Sequence, residues 1–226
     1  YTGAFPAEYG NAISGVFDLQ MRNGNNEQRE YVAQVGFNGF ELGAEGPFSK
    51  RSKASYLVNF RYSTMEVMDL LGFNDGTGAS VPQYKDLAFK LNFPLKKGRI
   101  SLFGTGGRSY IELLDKDTTE SSYGTSATNT YFGSDMGVVG LSHVHFLNKD
   151  TKIQNSFAYT YTRSYTDLDS LDENREAYDY YQNDFTESKI SYSLDLKRRF
   201  SRKSSLSAGL DIAYFMLNLT DSVKRQ

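Results

Sequence analysis

Cysteine is absent from the 226 residues, and so is tryptophan. Without cysteine there is no disulfide framework and no thiolate metal site, and the redox compartment is left unmarked. An excess of either charge is missing too: 25 Lys and Arg stand against 27 Asp and Glu. That balance suits neither a nucleic-acid surface nor a polybasic membrane arm, so no nucleic-acid partner is expected. No apolar run approaches the roughly 20 residues that a membrane-spanning helix needs, and no signal peptide opens the chain. Two classes remain. One is a soluble β protein; the other is a membrane protein that crosses with strands, whose hydrophobicity is diluted because every second residue is polar.

What the chain does have is Tyr and Phe, together 15% of its residues, set in period-two alternation nearly throughout. Over residues 10–22, Ile13, Gly15, Phe17, Leu19 and Met21 alternate with Ser14, Asp18, Gln20 and Arg22, and Asn23 to Asn26 stop the pattern. Tyr31, Ala33, Val35 and Phe37 share one phase, and Phe40, Leu42 and Ala44 share the other. Asn38-Gly39 sits at the switch, a strong hairpin signal; two short strands are expected there, with one long strand carrying a glycine bulge as the alternative. Further strands are expected around residues 54–62, 87–93, 99–113, 131–147, 153–162, 190–197 and 206–216. Gly104, Gly106 and Gly107 mark a bulge or a close approach. A short helix is expected over residues 64–73.

Two regularities organise these strands. Short connections at residues 49–53, 96–98, 148–150 and 201–203 alternate with long ones at 64–84, 115–130 and 167–183, the arrangement of a transmembrane barrel with short periplasmic turns and longer outer loops. Charges gather on one face: Arg61, Lys90, Asp135, Asp195, Lys197 and Asp211. In residues 131–147, Met136, Val138, Val144 and Phe146 separate from Asp135, His143 and His145, and the first set is expected to meet lipid. A soluble sandwich also alternates, but its strands average five or six residues and its loop lengths have no fixed order. The barrel is the preferred reading. A beginning at Tyr1 without methionine, and an end just after a strand, read as a piece of a longer chain.

The run PAEYGNAISGVFDLQMRNG resembles the end of the plug domain in TonB-dependent outer-membrane receptors, and GFELGAEGPFSKRSKASYLVNFRYS is similar to receptors of the Bacteroidota, often preceded by a carboxypeptidase-regulatory-like domain. The resemblance is specific over residues 5–64 and general afterward. It implies an all-β fold: a partial transmembrane antiparallel β-barrel of about nine strands, out of about twenty-two in the family, preceded by the last strand of a plug. Residues 1–29 would be the plug end and linker, and residues 30–226 the first part of the barrel. It also implies a location in the outer membrane and uptake of a nutrient driven by the TonB complex through an upstream segment. The partners would be the lipid bilayer, that complex, the nutrient and a surface lipoprotein. The alternatives are a barrel that does not transport, such as an adhesin or assembly protein, and a soluble carbohydrate-binding sandwich.

Catalytic chemistry finds little purchase. No nucleophile elbow, phosphate loop or zinc-protease motif occurs, so neither catalytic residues nor a cofactor is expected, and the chain does not read as an enzyme. His143 and His145 share a strand face and would need a third ligand to hold a metal; two lumen-facing polar residues is the plainer reading. The run Asp167, Asp169, Asp172, Glu173 and Asp179 lacks the glycine and spacing of a calcium loop and reads as solvated. Tyr178, Tyr180 and Tyr181 are the candidate substrate-binding residues, in the third long loop, set against an interfacial aromatic belt, which is favoured. Met65, Met68 and Leu71 are expected to pack the loop helix onto its neighbours.

Overall fold

The computed structural model describes residues 15, 19–36, 39–50, 52–63, 82–114, 128–172, 174 and 176–224. Among these, all regular structure is strand: β1 (Glu30–Gly36), β2 (Gly39–Pro47), β3 (Ser55–Tyr62), β4 (Gln83–Leu95), β5 (Gly98–Leu113), β6 (Thr128–Asn148), β7 (Thr151–Leu171), β8 (Ala177–Arg199) and β9 (Ser205–Val223). Each strand pairs antiparallel with the next, and the nine form one sheet in chain order. The sheet is open: among the described residues β1 pairs only with β2, and β9 only with β8. The described strands do not form the two packed sheets of a sandwich. The helix expected over residues 64–73, with Met65, Met68 and Leu71, lies outside the described residues. Of the strand expected over residues 10–22, only residues 15 and 19–22 are described, and these are in no strand.

The phase change near Asn38-Gly39 is a hairpin. Gly36 faces Gly39, and Tyr31, Ala33 and Val35 face Ala44, Leu42 and Phe40. Turning the chain back keeps both apolar sets on one side, which a single strand would not do. Gly39, with φ of 157°, is packed so that a Cβ would run into the carbonyl of Tyr62. Only glycine fits there.

Register carries the two faces across all nine strands. On one face Phe60, Leu87, Gly106, Gly137, Tyr161, Ser188 and Met216 form a row, as do Leu91, Leu102, Leu141, Phe157, Tyr192 and Ile212. On the other, Glu41, Arg61 and Asp86 stand in register, and so do Ser55, Asn92, Ser101, Ser142, Ser156, Ser193 and Asp211. Val144 is the one Val, Leu, Ile, Met, Phe or Tyr side chain that is buried among the described residues, at 2% exposure. The side chains of the apolar face are open: Leu141, Phe157 and Ile212 are 48%, 51% and 56% exposed. A sheet of this size with almost no core leaves far more apolar surface uncovered than a soluble monomer does.

Glycines opposite aromatic rings knit the middle strands. Gly104 faces Phe89, Gly140 faces Phe103 and Gly133 faces Tyr165. Each ring lies across the glycine so closely that a Cβ would collide with ring atoms. Such pairs bury the bare backbone of a strand glycine under its neighbour's ring. The register runs without a shift through Gly104, Gly106 and Gly107, so close approach, not a bulge, is the reason for these glycines.

Two expectations need correction. Residues 167–183 are not a long loop: β7 and β8 continue through them, with Asp167 facing Gln182 and Leu168 facing Tyr181, and the connection is only residues 172–176. Acidic and Tyr-rich sequence read as solvated loop, but it still alternates, and pairing of β7 with β8 takes up its backbone. On β6, Asp135, His143 and His145 do separate from Met136, Val138, Val144 and Phe146, but the faces are exchanged. Asp135 faces Arg163 and His143 faces Ile100, on the apolar side, while Met136 faces Gly107 and Val144 faces Gln154, on the polar side. Both faces of β6 are mixed, so its side is set by pairing with β5 and β7, not by its own pattern.

Candidate functional site

The polar face holds residues 21–25. Arg22 donates from Nη1 to Oε2 and from Nη2 to Oε1 of Glu45, both at 2.5 Å, and the Asn25 backbone N–H donates to the same carboxylate at 2.8 Å. Lys90 Nζ donates to the Met21 carbonyl at 2.5 Å. Glu45 and Lys90 both project from the polar face, on β2 and β4, so residues 21–25 lie across it. The packing is close: a Cβ on Gly24 would collide with the Tyr56 carbonyl. Nearby, Ser55, Asn92 and Ser101 are 1%, 6% and 4% exposed, and the Ser101 hydroxyl donates to Asn92 Oδ1 at 3.2 Å. Short hydroxyl side chains leave a shallow seat where long ones would stand off the sheet.

Further along the same face is a hollow of about 390 Å³ over β4–β7. Gly107, opposite Met136, opens it on this face. A Cβ on Gly107 would come within 2.8 Å of Asp86 Cβ. Arg61, whose Nε donates to both oxygens of Asp86 at 3.0 and 3.1 Å, borders it with the hydroxyls of Thr105, Ser134 and Thr160. A guanidinium–carboxylate pair ringed by hydroxyls can bind polar ligand groups through donors and acceptors alike.

A row of charges crosses the apolar face toward the long connections. Lys85 faces Arg108, Arg108 faces Asp135 and Asp135 faces Arg163. Arg108 donates to Asp135 from Nε at 2.6 Å and Nη2 at 3.2 Å, and Arg163 to Asp184 from Nη2 at 2.6 Å. The Arg163 guanidinium also sits 4.9 Å from the centre of the Tyr165 ring. Between this row and the short turns, the apolar face of β4–β8 carries no Asp, Glu, Lys or Arg until Arg198. Ten residues of β5 separate Arg108 from Gly98, about 33 Å of strand. At a tilt of about 40° that spans about 25 Å, the height of the apolar band on a transmembrane barrel.

Tyr178, Tyr180 and Tyr181 stand on β8 beyond that row, and not in a loop. Tyr178 faces Ser170 and Tyr181 faces Leu168. Tyr180 is passed over where the register shifts, and its carbonyl accepts the Lys224 N–H at 2.9 Å. Asp179 faces Asp169 and is paired with Lys224 at 2.5 Å. Burial, then Asp179 and Asp167, raise the Asp169 pKa above the usual carboxylate range. Asp172 Oδ1 is used within its own turn, accepting the N–H groups of Asn174 and Glu176 at 2.9 and 2.7 Å. His143 and His145, with ring centres 5.9 Å apart, are on the apolar face and not on the face of Arg61 and Lys90. Among the described residues no three His, Cys, Asp or Glu side chains are placed to hold a metal.

Local sequence carried no signal for the Arg22–Glu45 contact, which joins residues 23 apart. The glycine cluster was visible, and it marks the hollow. The sequence matches no protein-family model, and no curated protein or solved structure matches it either.

Proposed function

We propose that the chain is part of an outer-membrane TonB-dependent receptor, which binds a nutrient at the cell surface and imports it into the periplasm. In this reading residues 1–29 end the plug and lead into the barrel, and β1–β9 are its first strands. The observation that carries it is the pairing of two unlike faces: an apolar face free of charge over about 25 Å of height, and a polar face on which residues 21–25 are seated by Glu45 and Lys90. An apolar face this large is stable against lipid, and a seated inner segment is what distinguishes a plugged receptor from an adhesin barrel.

The open edges fit a partial barrel. Unpaired backbone groups along β1 and β9 cannot be left in hydrocarbon, so the rest of the barrel must supply partners for both. The hollow beside Arg61 and Asp86 then lines the lumen, on the path of a polar cargo.

Fractionation and uptake test the reading together. The full-length chain should be recovered from outer membranes only with detergent, and nutrient uptake by cells bearing it should stop when the inner-membrane proton gradient is dissipated. Recovery as a soluble protein would overturn the membrane assignment. An outer-membrane location with no energised uptake would favour the barrel that does not transport.

A further inference from the structure

Lys85 and Arg108 face each other directly across β4 and β5. Like charges in that position repel. Arg108 is relieved by Asp135, which takes its Nε and Nη2, whereas Lys85 is exposed and has no partner among the described residues. Tyr62, opposite Lys85, and Tyr110, one facing position beyond Arg108, complete a cleft of about 120 Å³ around the two cations. Toward the short turns the next side chains on this face are Phe60 and Leu87, both apolar. An ammonium with no acidic partner among the described residues, a guanidinium and two phenols therefore stand at the edge of an apolar band.

We infer that this cleft binds the phosphate of a lipid headgroup, with the acyl chains lying along Phe60 and Leu87. The inference rests on the membrane reading above. An anion between Lys85 and Arg108 turns their repulsion into two charge-assisted contacts, and the band beside it suits the tails. Asp135 takes Nε and Nη2 of Arg108 and leaves its Nη1 for the anion, with no hydrogen bond to it from the described residues. Glu112, on this face beyond Tyr110, is occupied in accepting the Tyr110 hydroxyl at 3.1 Å. A free phosphate would use the cations alone and gain nothing from the band, so the occupant is the lipid.

The test uses the full-length chain in detergent micelles, titrated with bis-phosphorylated lipid A, with its dephosphorylated form, and with inorganic phosphate, binding being read by native mass spectrometry. The phosphorylated lipid should bind about tenfold tighter than the dephosphorylated one. Lys85→Ala should abolish that preference, and Lys189→Ala, which removes a cation from the opposite face, should preserve it. Equal binding of the two lipids, an unchanged preference in Lys85→Ala, or inorganic phosphate binding as tightly as the lipid would each overturn the inference. A chain that inserts into micelles and shows no preference defeats the inference alone; a chain that stays soluble without detergent defeats the membrane reading beneath it.

Discussion

Glu45 holds Arg22 through both of its carboxylate oxygens and takes the Asn25 N–H as well. One side chain of β2 thus fixes a guanidinium and a backbone group of a segment with no regular structure of its own. The Glu45 side chain is 12% exposed and that of Arg22 66%. Solvent screens the guanidinium, so the pair contributes on the order of 1 kcal/mol, with the buried carboxylate setting the geometry.

Glu45→Ala should therefore release residues 21–25 without unfolding the sheet. Trypsin cleavage after Arg22 should speed up several-fold, while amide exchange in β4–β8 stays as in the native chain. Cleavage at the native rate would mean that Lys90 and the packing of Gly24 hold the segment unaided.

Gly133 and Tyr165 give a second prediction. A Cβ on Gly133 would overlap the Tyr165 ring, and that ring also carries the Arg163 guanidinium. Gly133→Ala should displace the ring and cost about 1–3 kcal/mol, as overpacking does. Adding Tyr165→Ala should then cost much less than it does in the native background, because removing the ring also removes the clash. Urea unfolding in detergent micelles measures all four corners of the cycle, and additive costs would contradict the contact.

Much of this sheet was legible because its strands alternate cleanly and its neighbours agree. Tyr56, Val58 and Phe60 have polar neighbours at Ser55, Asn59 and Arg61, so one strand fixes its own sides. The reversal at Asn38-Gly39 was legible from the phase change and turn chemistry together. β6 was not legible: Val139 and Leu141 compete with Val138 and Val144, and only the register with β5 and β7 decides. The tip of β7 and β8 was misread because acidic residues and tyrosines resemble loop in composition, whereas their pairing is a matter of neighbours. The seat of residues 21–25 and the charge row on the apolar face involve residues distant in sequence, and no local pattern announces such contacts.

At that tip the sign of a pH effect can be worked out. Asp169 faces Asp179 and has a raised pKa, so the fold favours its protonated form. The resulting penalty is absent below the ordinary Asp range and grows as pH rises from there through the raised value. Asp169→Asn should consequently slow amide exchange at the ends of β7 and β8 at neutral pH, and the difference from the native chain should vanish as pH falls below the usual carboxylate range. A variant that exchanges faster at neutral pH would show that the Asp169 charge has a stabilising partner.

The exchanged faces of β6 separate the structure from its sequence pattern most directly. Leu141 stands between Leu102 and Phe157 on the apolar face, and Val138 between Thr105 and Thr160 on the polar face. An arginine placed mid-band on the lipid side of a barrel costs about 2–4 kcal/mol, and the same residue facing a wet lumen avoids that penalty. Leu141→Arg should therefore lower the yield of full-length chain folded into lipid vesicles, whereas Val138→Arg should insert nearly as well as the native chain, with any loss reflecting crowding in the hollow it borders. From its own alternation β6 predicts the reverse, since Val138 groups there with the residues expected to meet lipid. Protection of the inserted protein against protease in vesicles distinguishes the two. Equal loss from both substitutions would mean that neither face of β6 meets lipid, and it would remove the membrane-facing band on which the transport reading depends.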